Sequence, residues 1–480
     1  MKINELFAGI SHRVVVSFDG EITQVVYDSR AVQAGALFVC LRGLTVDGHD
    51  FIDRAVAAGA VAVLVEDGFT GEVPSGIGVI SVENTRSALA YVSANLHDNP
   101  AEKLRLVGVT GTNGKTTTTY FIEEVLRACG RKTGIIGTTG IRALGEAMDI
   151  AFATSTTPDP PELHRIFAEM ARLGVRDVVM EVSSHALAFL KMEGLTFDVG
   201  VFTNLTQDHL DFHGTMENYM LAKAKLFAQS RIGVINTDCP FSGTMVEHMG
   251  GRPHFSYGLG SADLQAIHTE RRADGSSFTL GGEEFSLPVS GKFNVYNALA
   301  AIGAAKALGI EMPKIRKAVA NLSGVPGRIQ AVPNARGLNV FVDYAHSPDG
   351  LENIINSVRE TTKGRVITLF GCGGDRDKTK RPIMGKIAAT LSDFCILTSD
   401  NPRTENPMEI LAQVEGGVSP VSSEYKILEN RRDAIFAGVK MLTPDDALII
   451  AGKGHEDYQI IGTTKHHFDD FETAAEALEN

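Results

Sequence analysis

The sequence lacks any apolar run long enough to cross a bilayer as a helix. Its longest uncharged, largely apolar stretch near the N-terminus, Ala55 to Val65, is closed off by Arg54 and Glu66. The first twenty residues contain charges and a turn but no hydrophobic segment with a small-residue cleavage site, so secretion is not indicated and the cytoplasm is expected. Cysteine is scarce. The five residues Cys40, Cys129, Cys239, Cys372 and Cys395 show no paired spacing, which excludes a disulfide framework or zinc motif and leaves reduced core positions. Basic residues are in deficit: 45 Lys plus Arg against 58 Asp plus Glu give a net charge of −13. That balance opposes a sequence-independent grip on nucleic acid or anionic lipid, so any anion must be bound at a local site. No internal repeat or low-complexity tract is present, and a monomer is expected.

What is present is ordinary globular composition, 44% hydrophobic and 21% charged, over 480 residues. At about 150 residues per domain that length suggests about three domains. Residues 1–102 hold short β-rich runs (VVVSF, VAVLVED, GIGVISVE) and a helical stretch ending in Pro and charges. From Leu104 the pattern changes to apolar strands alternating with amphipathic helices, including LRLVGVT, DVVMEVS, FDVGVFTNL, a helix over 216–228 and GVINTD. Residues 103–326 therefore read as a mostly parallel α/β domain. SGVPGRI is a turn-rich hinge, after which 327–480 alternates again through NVFVDYA, RVITLFG, FCILTSD and DALIIAG, a Rossmann-like α/β pattern. Ligands of such folds sit beyond the carboxyl ends of the strands, where all the motifs below fall.

LVGVTGTNGKTTTTYF joins a strand to a helix through a glycine-bearing turn. Backbone N–H groups from Gly111 to Gly114, and the helix start, are suited to phosphates. Lys115 can reach the terminal ones, and the Thr116 hydroxyl can hold Mg²⁺. The strict GxxxxGK[ST] pattern would place a glycine at position 109, where this chain has Val109, so the loop is a variant. The next strand ends bring Glu181 and His185, then Asp208, His209, Asp211 and His213. Mg²⁺ prefers oxygen ligands, which suits Thr116 and Glu181; a histidine nitrogen is a less usual partner. Taken singly, these acids and histidines also serve as helix caps and turn residues, and Lys223 and Lys225 as solvent-facing helix residues.

In order, GTNGKTTT, EVSSHA, DHLDFHG with an AK helix, GKFNVYNALAA, GVPGRI, VDYAHSPD, GCGGDRDKTKRP, DNPR and AGKGHE resemble the Mur ligases. The resemblance covers nearly the whole chain and is nearest to members that add the third peptide residue. It implies that Gly111, Thr112, Asn113, Gly114, Lys115, Thr116 and Thr117 cradle ATP. Asn294 and Asn297 would lie near the adenine, and Arg328, Asp343 and His346 would reach the nucleotide on domain closure. Thr116, Glu181 and His209 would surround Mg²⁺, joined by Lys223 as a CO₂-derived carbamate.

The resemblance further implies that Ser29, Thr45, Thr156, Thr157, Ser183 and Lys191 contact UDP-MurNAc-L-Ala-D-Glu. Relatives often carry Gln and Arg where this chain has Phe189 and Lys191. Arg376, Asp400, Asn401, Pro402, Arg403, Gly452 and Glu456 would read meso-diaminopimelate, whose distal carboxylate matches the planar fork of Arg403. The implied reaction is amide ligation through an acyl phosphate, with Lys115, Glu181, His209 and Lys223 as catalytic residues. The alternatives are an L-lysine-adding sibling, a folylpolyglutamate synthase, and a nucleotide-gated switch that forms no bond.

Overall fold

The computed structural model describes all residues except 44–45, 151–153, 155, 273–274 and 480, with the side chains of 271–272 also outside the description. Three sheets organise the chain. In the first, the strands run in the order Arg13–Val16, Gly78–Val82, Ala60–Glu66, Ala36–Val39, Gln24–Val26, parallel except for the first pair. The Arg13–Val16 strand is an edge, and its run of valines is solvent-exposed rather than buried. Helix Thr85–Leu96 covers part of this sheet, capped by Asn84, whose side chain accepts from the Arg86 and Ser87 amides.

The second sheet has eleven strands. Its parallel middle runs from Leu264–Arg272 through His254–Gly258, Ser230–Asn236, Phe197–Phe202, Arg105–Thr110 and Asp177–Glu181 to Thr133–Gly137. Antiparallel strands extend both edges. The strands Gly275–Leu280 and Glu283–Leu287, joined through the glycines Gly281 and Gly282, are an addition to the elements expected from sequence. The two central strands, Arg105–Thr110 and Asp177–Glu181, are buried almost throughout, as expected where helices cover both faces.

In helix Lys115–Ala128 the first residue is followed by four consecutive threonines, β-branched residues of modest helix propensity. All four are buried, so tertiary packing rather than local preference holds this turn. Helix Met216–Ala228 agrees with the sequence expectation, and the Thr215 side chain caps it by accepting from the Asn218 amide.

The third sheet orders Gln330–Ala331, Asn339–Asp343, Ala447–Ala451, Val366–Phe370, Phe394–Leu397 and Tyr425–Ile427. All its pairs are parallel save the first. A hairpin of Tyr458–Ile461 and Thr464–His467 stands beside it. Among the described residues no helix is long and apolar enough to cross a membrane.

Candidate active site

At the carboxyl ends of Arg105–Thr110 and Asp177–Glu181, a cavity of about 490 Å³ opens between the second sheet and the third. It is lined by Thr112 to Thr116, Thr156, Thr157, Glu181, Ser183, Lys191, His209, Arg328 and His346, which gathers most of the expected phosphate, metal and peptide residues. A second cavity of about 760 Å³ adjoins it, lined by Gly114, Thr117, Asn297, Arg328, Asp343 and His346, together with Asp238, Tyr296 and the face of helix Pro348–Arg359. Asn294 lies behind this cavity, where its Oδ1 accepts from Asn297 Nδ2 at 3.1 Å. Thr45 lies outside the described residues. Ser29 is buried in the first domain and lines neither cavity.

The phosphate loop is shaped by what crowds it. Gly111 has φ +154°, and a Cβ there would sit 1.9 Å from Thr203 Oγ1. Its carbonyl receives two ammonium donors, Lys115 Nζ at 3.0 Å and Lys223 Nζ at 2.8 Å. Lys223 is fully buried, with Nζ 4.4 Å from the centre of the Tyr219 ring. Burial, and then repulsion from Lys115, push its pKa well below the usual lysine value. Lys225, by contrast, is exposed, as expected from the sequence, and its Nζ reaches the Leu187 carbonyl.

Glu181 is buried and accepts from the Thr138 amide at 2.9 Å and from Thr138 Oγ1 at 3.1 Å. Thr116 Oγ1 accepts from Arg328 Nη2 at 3.1 Å, so the hinge arginine already reaches the loop. His209 sits at the rim in a left-handed conformation, its Nε2 3.5 Å from Asp208 Oδ2. Among the described residues no three Asp, Glu, His or Cys side chains converge as a metal cage. The oxygens of Thr116 and Glu181, facing one cavity with Lys115, fit a cation that takes its remaining ligands from phosphates and water.

Sequence reading missed several residues that tie the third sheet to the loop. Asp349, at the start of helix Pro348–Arg359, accepts from Asn113 Nδ2 and from Thr206 Oγ1. Tyr344 carries the Arg328 guanidinium 4.7 Å above its ring. Both sit inside the quoted VDYAHSPD motif. Asp343 itself is taken up by the backbone, accepting from the Ile329 and Ala345 amides, and burial raises its pKa.

Lys191, expected as a peptide contact, pairs with Asp159 at 2.7 Å, and Tyr27 from the first domain donates to the same carboxylate. Arg86 stacks 4.6 Å over the Phe189 ring.

The residues expected to read the amino acid form a separate cluster around the ends of Phe394–Leu397 and Ala447–Ala451 and line neither cavity. Arg403 has φ +52° and is clamped on both sides of its backbone by the hairpin: its amide donates to Ile460 O and its carbonyl accepts from Gly462 N. Arg403 Nη1 donates to Gly374 O at 2.8 Å. Arg376 is exposed on the facing loop, its Nη1 on Asp375 O. Glu456 is already partly neutralised, accepting from Asn401 Nδ2 at 2.9 Å and from the buried Lys453 at 3.2 Å. Pro402 and Gly452 shape the backbone; a Cβ on Gly452 would meet Asp400 Oδ2 at 2.7 Å.

A parallel-sheet phosphate loop closed over by a hinged third α/β domain marks the class, and the chain belongs to the Mur ligase family. Residues 21–100 match the Mur ligase family catalytic domain, 109–305 the Mur ligase middle domain, and 327–454 the Mur ligase glutamate ligase domain. More narrowly, it is 43% identical over 486 residues to UDP-N-acetylmuramoyl-L-alanyl-D-glutamate--2,6-diaminopimelate ligase 1 of Clostridium acetobutylicum, covering 100% of this chain and 99% of that protein. The ligase of the same name from Caldanaerobacter subterraneus subsp. tengcongensis is 43% identical, with 100% and 99% covered.

A solved structure of a UDP-N-acetylmuramoyl-L-alanyl-D-glutamate--2,6-diaminopimelate ligase superimposes with a TM-score of 0.68 at 30% identity, covering 100% of this chain and 99% of that one. The Thermotoga maritima MurF ligase in complex with ADP shares the fold, with a TM-score of 0.65 at 20% identity, covering 95% of this chain and 97% of that one. The architecture is that of the three-domain Mur ligases.

Proposed function

We propose that the chain is an ATP-dependent amide ligase that adds meso-diaminopimelate to UDP-MurNAc-L-Ala-D-Glu in the cytoplasm, acting as a monomer. Its domains would be 1–102 for the nucleotide sugar, 103–326 for ATP and 327–480 for the amino acid. The observation that carries this reading is the joint placement of the phosphate loop, Glu181 and Ser183 around one cavity, with Arg328 reaching across to Thr116. Relatives at 43% identity over full length carry the diaminopimelate ligase name, which supports the choice of substrates.

In this reading a glutamyl carboxylate oxygen attacks the γ-phosphorus and ADP leaves. The amine of the incoming amino acid then attacks the acyl carbon, phosphate departs, and the amine's proton is lost. Lys115, Arg328 and the loop amides hold the phosphates in line, so rate comes from positioning and from neutralising spread negative charge. Mg²⁺, when bound, supplies further neutralisation; Thr116, Glu181, His209 and a carbamate on Lys223 would hold it. The depressed pKa of Lys223 supports the carbamate, because only a neutral amine can take up CO₂.

Arg403 and Arg376 would read the distal carboxylate of meso-diaminopimelate. Lysine lacks that group, and each unpaired charged donor would cost about 1.5–3 kcal/mol, roughly ten- to a hundred-fold. Purified protein given ATP, Mg²⁺ and the muramyl dipeptide should release phosphate in step with a new amide, seen by mass spectrometry, with meso-diaminopimelate at least about ten-fold ahead of L-lysine. Equal rates with the two amino acids would end the specificity assignment. ATP hydrolysis without any amide product would instead identify a nucleotide-gated switch.

A further inference from the structure

The two loops that carry Arg376 and Arg403 are locked together by an ion pair between Arg381, which is buried, and Glu405, a partly exposed residue of the Arg403 loop. Arg381, on helix Lys380–Leu391, has no solvent exposure. Its guanidinium forks onto Glu405, Nη1 to Oε2 at 3.0 Å and Nη2 to Oε1 at 2.9 Å. The same two nitrogens bond Gln413 Oε1 at 2.8 Å and the Gly373 carbonyl at 3.1 Å. Glu405 sits two residues after Arg403, and its Oε1 accepts from the Asp375 amide, next to Arg376. The carboxylate therefore bonds the backbone of one loop while belonging to the other. Its pKa falls to about 2, chiefly through Arg381, so it stays ionised across the physiological range.

A second tie runs in parallel. Thr404 Oγ1 donates to Asp375 Oδ1 at 2.9 Å, and Asp375 holds a left-handed φ of +53°. The fit between the loops leaves no room for slack: a Cβ on Gly374 would lie 1.9 Å from Pro402 O, and one on Gly373 would lie 2.9 Å from Arg403 Nη1. A bidentate Arg–carboxylate pair fixes angle as well as distance, and loss of the carboxylate would leave the charge of the buried Arg381 unpaired.

We propose that Glu405 and Arg381 are positioning residues for amino-acid selection: their ion pair sets the separation and orientation of the Arg376 and Arg403 guanidiniums, and thereby the discrimination for a second carboxylate on the incoming amino acid. The inference rests on the assignment of Arg403 to the amino-acid site. Neither residue touches substrate in this account; each acts through the two arginines.

Glu405→Gln keeps the side-chain shape and an acceptor for the Asp375 amide but gives up the ionic fork. It raises KM for meso-diaminopimelate about ten-fold, the worth of one charged hydrogen bond. It narrows the preference over L-lysine, while kcat and the KM values for ATP and the muramyl dipeptide stay within about two-fold. Thr404→Val, at an exposed position, removes the hydroxyl arm of the parallel tie while the residue 404 amide keeps its bond to Asp375, and produces the same split with smaller size, which covers the case of a Glu405 variant that does not fold. A uniform loss of kcat with selectivity intact in both variants, or unchanged kinetics in both, would overturn the positioning role. Arg403→Ala serves as the reference arm. If it leaves the preference over lysine unaltered, the amino-acid site itself is misassigned; if it abolishes the preference while the Glu405 and Thr404 variants do not move it, only the positioning role fails.

Discussion

Lys115 and Lys223 both donate to a single carbonyl, Gly111 O. Two full ammonium charges so close in a buried place repel, and burial and repulsion together disfavour the charge on the deeper group. Lys223 is the deeper, with one per cent of its surface exposed. Its depressed pKa favours the neutral amine, the form that can act as a nucleophile. Lys223→Arg cannot form a carbamate and keeps its charge. It should lower kcat by about 100-fold or more, on the scale of losing one preorganised electrostatic contact. Protein equilibrated with ¹³C-labelled bicarbonate should show a carbamate carbon resonance that the Arg variant lacks; an identical resonance in both proteins would remove Lys223 from the metal site. The identity of this residue as a lysine near acids is visible in the sequence. Its depth is not, because depth depends on helix Met216–Ala228 packing directly against the loop, 112 residues away in sequence.

At the level of elements, the strand-to-helix turn at 110–115 is legible from residue order: an apolar strand, glycines, then a helix start. The departure from the strict pattern also makes sense in the structure. Val109 is a buried strand residue paired in register with Glu181 and Val201, and the glycine that the geometry requires is Gly111. Gly111→Ala would force a Cβ to within 1.9 Å of Thr203 Oγ1. Overpacking of that kind costs about 1–3 kcal/mol, and here it displaces the loop carbonyl and amides. The expected result is an ATP affinity reduced about ten-fold with circular dichroism unchanged, read by titration with ATP. Wild-type affinity in the variant would show that the loop can yield without loss. The loop pair at 371–378 and 400–405 is a contrasting case. Both motifs stand out in the sequence, yet the roles of Arg381 and Glu405 in joining them depend on a helix and a loop meeting across 24 residues of chain.

Across the whole molecule, side-chain contacts hold the domains against each other. Tyr27 bonds Asp159 between the first and second, and Arg328 and Asp349 bond the phosphate loop from the third. His164 lies near the first of these junctions. It is buried, neither ring nitrogen has a partner, and burial lowers its pKa to about 3, with the nearby His97 adding in the same direction. The sign follows from proton uptake. The unfolded chain binds a proton at this residue near pH 6.5 and the folded protein does not, so stability is full above about 6.5 and falls as pH drops toward 3. The slope is about 1.4 kcal/mol per pH unit at most, or roughly 2 kcal/mol by pH 5. His164→Phe should flatten the decline of Tm between pH 7 and 5; a decline as steep as that of the wild-type protein would assign the acid sensitivity elsewhere.

The sequence by itself determined the alternation of strands and helices, the phosphate loop, the acidic and histidine-bearing strand ends and the family likeness, because each is written in short-range order: hydrophobic period, turn residues and motif spacing. Only the tertiary structure decided which charges lose water and which side chains meet. Lys223 behind Gly111, Lys191 paired with Asp159, and Arg381 clamping Glu405 all depend on separations of tens of residues or more being closed by packing. Desolvation and partner choice belong to that three-dimensional arrangement, and no local pattern encodes them.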